Sequence, residues 1–526
     1  MISIAINLNN QVMKNQLHFI LAIGILLSVS SKAQNIADFV SVQPTTQGNT
    51  FVLPDSHVFQ KLIEVGDPLT EGGTMPSNPD FTAYVPINGS SVNGYLSVNS
   101  EAAPGGVTVL DINFDVPSNL WVVSSSEAID FSDVAGTVAN CSGAVTSWGT
   151  VISCEEFVPP FLYDLNFDGY NDFGWNVEID PATKTVIGKH FAMGNFAHEN
   201  VAIHENNRTV YQGADSDPGY LYKFVADSAE DLSSGTLYVY TGSKSGAGTW
   251  VPLLNGTPTE ANSTLAQSAA ASATVFDGIE DVEIGPDGKV YFAVKGEALV
   301  YRFEDSDPLV GTTATMESFV GNNTYDIAHA NGVTSATWGN GNDNLAFDGQ
   351  GNLWVFQDGG ENRIWVIGSD HTTGLPNVKL FGNAPGGSEP TGITFSPDYK
   401  FMFLSIMHPD VNNAGQTDIA GNTVDFNVGT TMVVALEGNL GETLSTVTIE
   451  ESQPIIWPNP YLKSEALNVK GMMLETLKIF DVTGKLVSDL NFKGTTTRES
   501  IYLPNLKKGT YILKINDSQK FKLIVK

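Results

Sequence analysis

The sequence predicts an all-β chain: a β-propeller with long insertions, followed by a small C-terminal β-sandwich. Three observations carry this. Short runs of alternating apolar residues are bounded by Gly, Asn, Asp and Ser, and no long apolar stripe of helical period stands out in 526 residues with 51 glycines. A strand–tight turn–strand unit recurs, opening at Glu199-Asn200, Glu280-Asp281, Asp343-Asn344 and Thr391-Gly392. Near residue 457 the charge changes sign: from there on 12 Lys+Arg face 6 Asp+Glu, a balance of +6, so the rest of a chain of net charge −32 carries −38.

Taken in order, Lys14 precedes an apolar run, Leu17 to Val29, and Ser31-Lys32-Ala33 has the pattern of a cleavage site. The run is short for a span of about 20 residues, so residues 1–33 are expected to be a removable signal peptide and the mature protein to have no transmembrane segment. Residues 34–437 form the expected propeller domain and 438–455 a polar linker. Residues 456–526 form the sandwich, with strand signals at Leu477–Val482, Gly509–Ile515 and Phe521–Val525. The excess of 58 Asp+Glu over 26 Lys+Arg repels nucleic acid and anionic lipid, and attracts cations such as calcium.

The stretch Asn140–Glu156 leads through a Gly/Ser-rich turn and a short apolar strand to Cys154, Glu155 and Glu156, a thiol and two carboxylates suited to holding a metal. The plain alternative is a core cysteine beside two solvated glutamates. In a propeller the innermost strand ends meet around one axis. That would bring Glu199, Glu280, Asp281, Asp343, Asn344 and Glu389 together with this strand end. Acids so gathered repel one another unless cations lie between them. Asp164, Asn166, Asp168, Gly169, Tyr170 and Asp172 stand at the spacing of a calcium loop, but Trp175 replaces its closing acid. A short structural calcium site is expected there, with Tyr170 contributing its carbonyl. Cys141 and Cys154 either form a disulfide outside the cell or leave Cys154 free to bind iron.

Two resemblances follow from the motifs. The C-terminal residues resemble the type A sorting domain of the Bacteroidetes type IX secretion system, through W-P-N-P (457–460), I-F-D-V-T-G-K-L-V (479–487) and L-K-K-G-T-Y-I-L-K-I (506–515). This implies export by that machinery and an extracellular or cell-surface location. The main domain resembles the PhoX-type alkaline phosphatases. The carrying motifs are N-C-S-G (140–143), W-G-T-V-I-S-C-E-E (148–156), M-G-N-F-A-H-E-N (193–200), D-N-L-A-F-D (343–348) and S-E-P-T-G-I-T-F-S-P-D (388–398). The resemblance implies a six-bladed propeller with an axial calcium and iron cluster that hydrolyses a small phosphoester. It places Cys154 or its neighbours Glu155 and Glu156, with Glu199, Glu280, Asn344 and Glu389, at metal-binding positions.

One motif departs from the family: R-P-E-D is here Gly278-Ile279-Glu280-Asp281, without the arginine that would grip phosphate. Lys295 or Arg363 could replace it, and Glu280 and Lys295 are the expected catalytic pair. The readings that compete with a phosphoric ester hydrolase are a non-catalytic calcium-stabilised propeller that binds a glycan or protein, and a lactonase or phosphotriesterase on the same scaffold.

Overall fold

The computed structural model describes residues 35–441, 455–470, 474–492, 498–503, 505–516 and 519–526. The expected signal peptide and most of the expected linker lie outside these. Contacts divide the chain into two units, residues 1–443 and 444–526.

The first unit is built on six antiparallel hairpins. Their first strands are Pro79–Pro86, Asn140–Val145, His198–Ile203, Ile279–Ile284, Asn342–Phe347 and Glu389–Phe395. The return strands are Asn93–Ser100, Val151–Glu155, Thr209–Ala214, Val290–Val294, Leu353–Gln357 and Phe401–Met407. Each first strand packs on the next, and the sixth packs on the first, so the set closes into a propeller ring. Two further strands extend each hairpin outward. In the last sheet one of these is His57–Glu64, which pairs with Thr430–Leu436 and ties the start of the domain to its end. Gly246–Pro252 joins the outer strands of two neighbouring sheets into one of nine strands.

Branched and aromatic side chains on the strands fill the space between sheets, as their pleat requires. Trp354, Phe356, Ile364 and Phe381 pack with Met402, Leu404 and Val434, and Tyr211, Trp250, Phe292 and Phe303 form another such layer. The turns are specified locally. Asn207, Gly288, Gly351 and Tyr399 each donate their N–H to the carbonyl three residues back and have positive φ, which glycine and asparagine adopt readily.

All six first strands share an irregularity. Their register shifts after Pro79, Asn140, His198, Ile279, Asn342 and Thr391, so that two residues of the first strand face one of the return strand. Such bulges re-aim side chains, and here they define both ends of the central channel.

The second unit has a three-stranded sheet, Ile455–Trp457, Leu467–Lys470 and Arg498–Ile501, and a four-stranded sheet, Leu486–Asn491, Thr476–Asp481, Gly509–Ile515 and Gln519–Val525. Tyr461, Val469, Ile479, Leu513 and Leu523 make its core. Among the described residues no helix is long and apolar enough to cross a membrane.

The hairpin turn before Leu353 depends on Asp348, whose carboxylate accepts from the N–H groups of Gln350 and Asn352, from Asn352 Nδ2 and from Trp354 Nε1. Asp348→Ala strands these buried donors and should lower unfolding free energy by about 3 kcal/mol in urea titration.

Candidate metal centre

The first residue of each bulge points to one end of the channel. In five hairpins it is Asp80, Cys141, Glu199, Glu280 or Asp343, and all five are nearly or fully buried. A second tier comes from the residue just past each return strand: Glu101, Glu156, Asp215, Lys295, Asp358 and His408. The two tiers interleave. Three groups of side chains have ligand atoms within 4.8 Å of one another: Asp80, Glu101 and Cys141; Cys141, Glu156 and Glu199; Glu199, Glu280 and Asp343. Cys141 and Glu199 are shared, so the groups form one continuous cluster.

Burial and mutual repulsion dominate its electrostatics. Burial, then Glu156 and Glu280, raises the Glu199 carboxyl well above its ordinary range. Glu156 is pushed up to about 11 by burial and by Asp215. Glu389 is pushed up to about 11 by burial and by Asp358, and Asp343 to about 7 by burial against the partial relief of Lys295. The Cys141 thiol is raised by burial and by Asp80 and Glu199, to which it donates at 3.2 and 3.0 Å. Lys295 Nζ lies 3.1 Å from Glu280 and 2.9 Å from Asp358, and its side chain keeps 38% of its exposure at the mouth.

The positions expected from sequence divide. Glu156, Glu199, Glu280 and Asp343 lie in the cluster. Glu389 adjoins it, interacting with Asp358, Asp343 and Asp80. Cys154 does not reach it: its thiol donates to Asn176 Oδ1 at 3.1 Å and packs in a core with Met193 and Phe196. Glu155 is engaged elsewhere, in a buried pair with Lys189 at 2.8 Å and accepting from the N–H groups of Gly174 and Trp175. Asp281 faces away and accepts from the N–H of Val282 and Leu345, both at 2.6 Å. Asn344 accepts from Gly392 N–H and donates to Asp343. Both cysteines are free thiols, and the one among the acids is Cys141.

Sequence reasoning gives no ligand role to Asp80, Glu101, Asp215 or Asp358, and takes Cys141 only as a possible disulfide partner. A signal existed: Asp80-Phe81-Thr82-Ala83-Tyr84 repeats the pattern of Glu199-Asn200-Val201-Ala202-Ile203, and an ionisable residue follows every return strand.

Gly278 has φ +72, and a Cβ there would fall 2.6 Å from Asp215 Oδ1 and 3.7 Å from the Lys295 Cβ. An arginine therefore does not fit without displacing Asp215. Lys295 stands beside the position, its N–H bonded to the Gly278 carbonyl at 3.0 Å. Arg363 is remote in its bonding, donating to the carbonyls of Thr337 and Thr45.

The 164–172 loop folds back on its own side chains. Asp168 N–H donates to Asp164 and Asn166, Gly169 N–H to Asp164, and Tyr170 N–H to Asp168. Asp172 accepts from Leu165 N–H at 2.9 Å through Oδ2, while its Oδ1 is buried without a hydrogen-bond partner.

A closed ring of bulged hairpins with a buried acid–thiol cluster on its axis defines the class as a β-propeller protein with an axial set of donors able to hold metal ions. The chain belongs to the alkaline phosphatase PhoX family, whose model matches residues 116–410, and residues 455–526 match the secretion system C-terminal sorting domain. It is a secreted or cell-surface protein of the type IX route. Pseudomonas fluorescens PhoX in complex with vanadate shares its fold, with a TM-score of 0.60 and 22% identity over 76% of this chain and 98% of that one. Weaker likenesses include Pseudomonas aeruginosa periplasmic gluconolactonase (TM-score 0.38, 13% identity, 72% of this chain and 99% of that one). Another is virginiamycin B lyase from Staphylococcus aureus (TM-score 0.34, 11% identity, 72% and 99%). No curated protein matches the chain.

The cluster sets a pH dependence for chelator-treated protein. Folded values of about 7 for Asp343 and about 11 for Glu156 and Glu389 lie above those of the unfolded chain, about 4. The folded state therefore keeps protons that the unfolded state has released, and stability falls as pH rises above about 4. Its melting temperature should drop between pH 5 and pH 8, and added divalent metal should shrink or reverse that drop. A flat profile without metal would contradict the cluster.

Proposed function

We propose that the chain is a secreted metal-dependent phosphoric ester hydrolase that acts on small phosphomonoesters. The observation that carries this is the continuous cluster from Asp80 to Asp343 with Lys295 at its mouth. The donor set fits cations: Asp80 Oδ1 and Glu199 Oε2 are buried without hydrogen-bond partners, and one lysine cannot balance so many acids. Asp80, Glu101, Glu156, Glu199, Glu280 and Asp343 would hold calcium, and Cys141 adds the softer donor that suits iron. When bound, such ions supply Lewis acidity and neutralise charge on the phosphoryl group.

Lys295 takes the part that the family motif gives to an arginine. Its ammonium, held between Glu280 and Asp358, is aimed by two carboxylates and partly open to solvent, so it can donate to a phosphoryl oxygen entering the mouth. Its pKa is raised by Glu280, Asp343 and Asp358 against burial, which keeps it charged. Gly278 makes room for Asp215 and leaves a single point charge in place of a planar fork, so oxygen pairs are gripped less tightly than by arginine. That glycine also favours a second reading, a lactone or phosphotriester substrate, whose neutral ester needs no clamp. Asp164, Asn166, Asp168, the Tyr170 carbonyl and Asp172 would hold a structural calcium, a reading supported by the unpartnered Asp172 oxygen.

Hydrolysis of p-nitrophenyl phosphate is expected with calcium and iron and is expected to vanish with chelator. Lys295→Ala should lower kcat/KM on that ester by about 100-fold, the scale of losing one charged donor to a transition state. A parallel lactone and triester assay that is faster and insensitive to Lys295→Ala would favour the second reading. Asp168→Asn should reduce the rise in melting temperature that calcium confers while sparing most of the turnover.

A further inference from the structure

At the opposite end of the channel the second residues of the bulges line a cavity of about 590 Å3, open where the hairpins turn. Beside the carboxylates of Asp281 and Glu283 it carries neutral polar groups. Ser142 and Asn200 are 1% and 3% exposed, yet among the described residues Ser142 Oγ and Asn200 Nδ2 have no hydrogen-bond partner. Asn200 Oδ1 accepts from Val201 N–H at 2.5 Å, which fixes the amide with its donor end free. Among the described residues Glu283 accepts one bond, from Ile284 N–H at 3.2 Å, and the cavity lining includes no lysine or arginine. Phe347, Phe395 and Tyr399, all half-buried, give it an aromatic wall.

We propose that this cavity binds a neutral mono- or disaccharide. The donor and acceptor inventory decides the class. An anion would meet the Glu283 and Asp281 carboxylates, with no lysine or arginine in the lining and His204 its one side chain able to take a positive charge. A metal ion or quaternary ammonium would leave the Asn200 donor unmatched and buried. A hydroxyl group serves both, since it donates to Glu283 and accepts from Asn200, while the aromatic faces cover the apolar side of a sugar ring. The volume lies within the usual range of small-molecule pockets. Tyr399 adds an independent sign. It has φ +55 at the turn position that Asn207, Gly288 and Gly351 fill in other hairpins. A bulky side chain in left-handed backbone is strained, and such strain gathers at ligand-binding positions.

The test is ligand-detected NMR and calorimetry on the full chain with glucose, galactose, mannose, N-acetylglucosamine, maltose and cellobiose. Glucose 6-phosphate, choline and calcium serve as class controls. At least one neutral sugar should bind, and Asn200→Ala and Glu283→Gln should each weaken it tenfold or more. Tyr399→Gly should melt at the same or a higher temperature, because it relieves the turn, and should also bind at least tenfold more weakly. If every neutral sugar fails, or if a sugar binds equally well to all three variants, the proposal is overturned. Because no phosphate transfer is read, failure of the hydrolase reading would leave this result standing.

Discussion

The structure turns on a conflict between like charges. Asp80, Glu101, Glu156, Glu199, Glu280 and Asp343 are drawn out of water and set against one another, with Lys295 ion-paired to Glu280 at the edge. Protons can relieve this only by leaving the acids neutral. Multivalent cations relieve it with the acids ionised. The rest of the ring serves to hold these groups at that separation: six hairpins pack side by side, and His57–Glu64 ties the last sheet shut.

The device that delivers the acids is the bulge near the start of each first strand. In a regular strand, neighbouring residues alternate between faces. Here two adjacent residues lie unpaired, and each is sent to a different end of the channel: Glu199 and Asn200, Glu280 and Asp281, Asp343 and Asn344. The second members also tie the ring internally, as when Asp281 accepts from Leu345 N–H of the next strand. One local distortion, repeated around the ring, therefore serves charge convergence, cohesion between strands and the shape of the far cavity.

Substitution at one position is accommodated by the same geometry. A glycine at 278 lets Asp215 come close enough that any side chain would collide with it, and Lys295, just past the adjacent return strand, bonds its N–H to the Gly278 carbonyl. Lys295, paired with Glu280 and Asp358, gives the mouth a positive charge. The two cysteines occupy different surroundings. The thiol that meets acids is Cys141 on a bulge, and Cys154 on the return strand packs in the core between sheets.

By itself the sequence determined the all-β class, the repeating hairpins, the change of character near residue 457 and the recurrence of acids at strand starts, because alternation, turn residues and charge are local properties. It also carried the family motifs. It could not assign faces. Two residues side by side, such as Glu155 and Glu156 or Cys141 and Ser142, have the same neighbours in the chain but different ones in space. Which of them meets a carboxylate from a distant strand is decided by bulge register and ring closure. Those are set by packing between sheets, so only the tertiary structure separates Cys141 from Cys154, and Glu280 from Asp281.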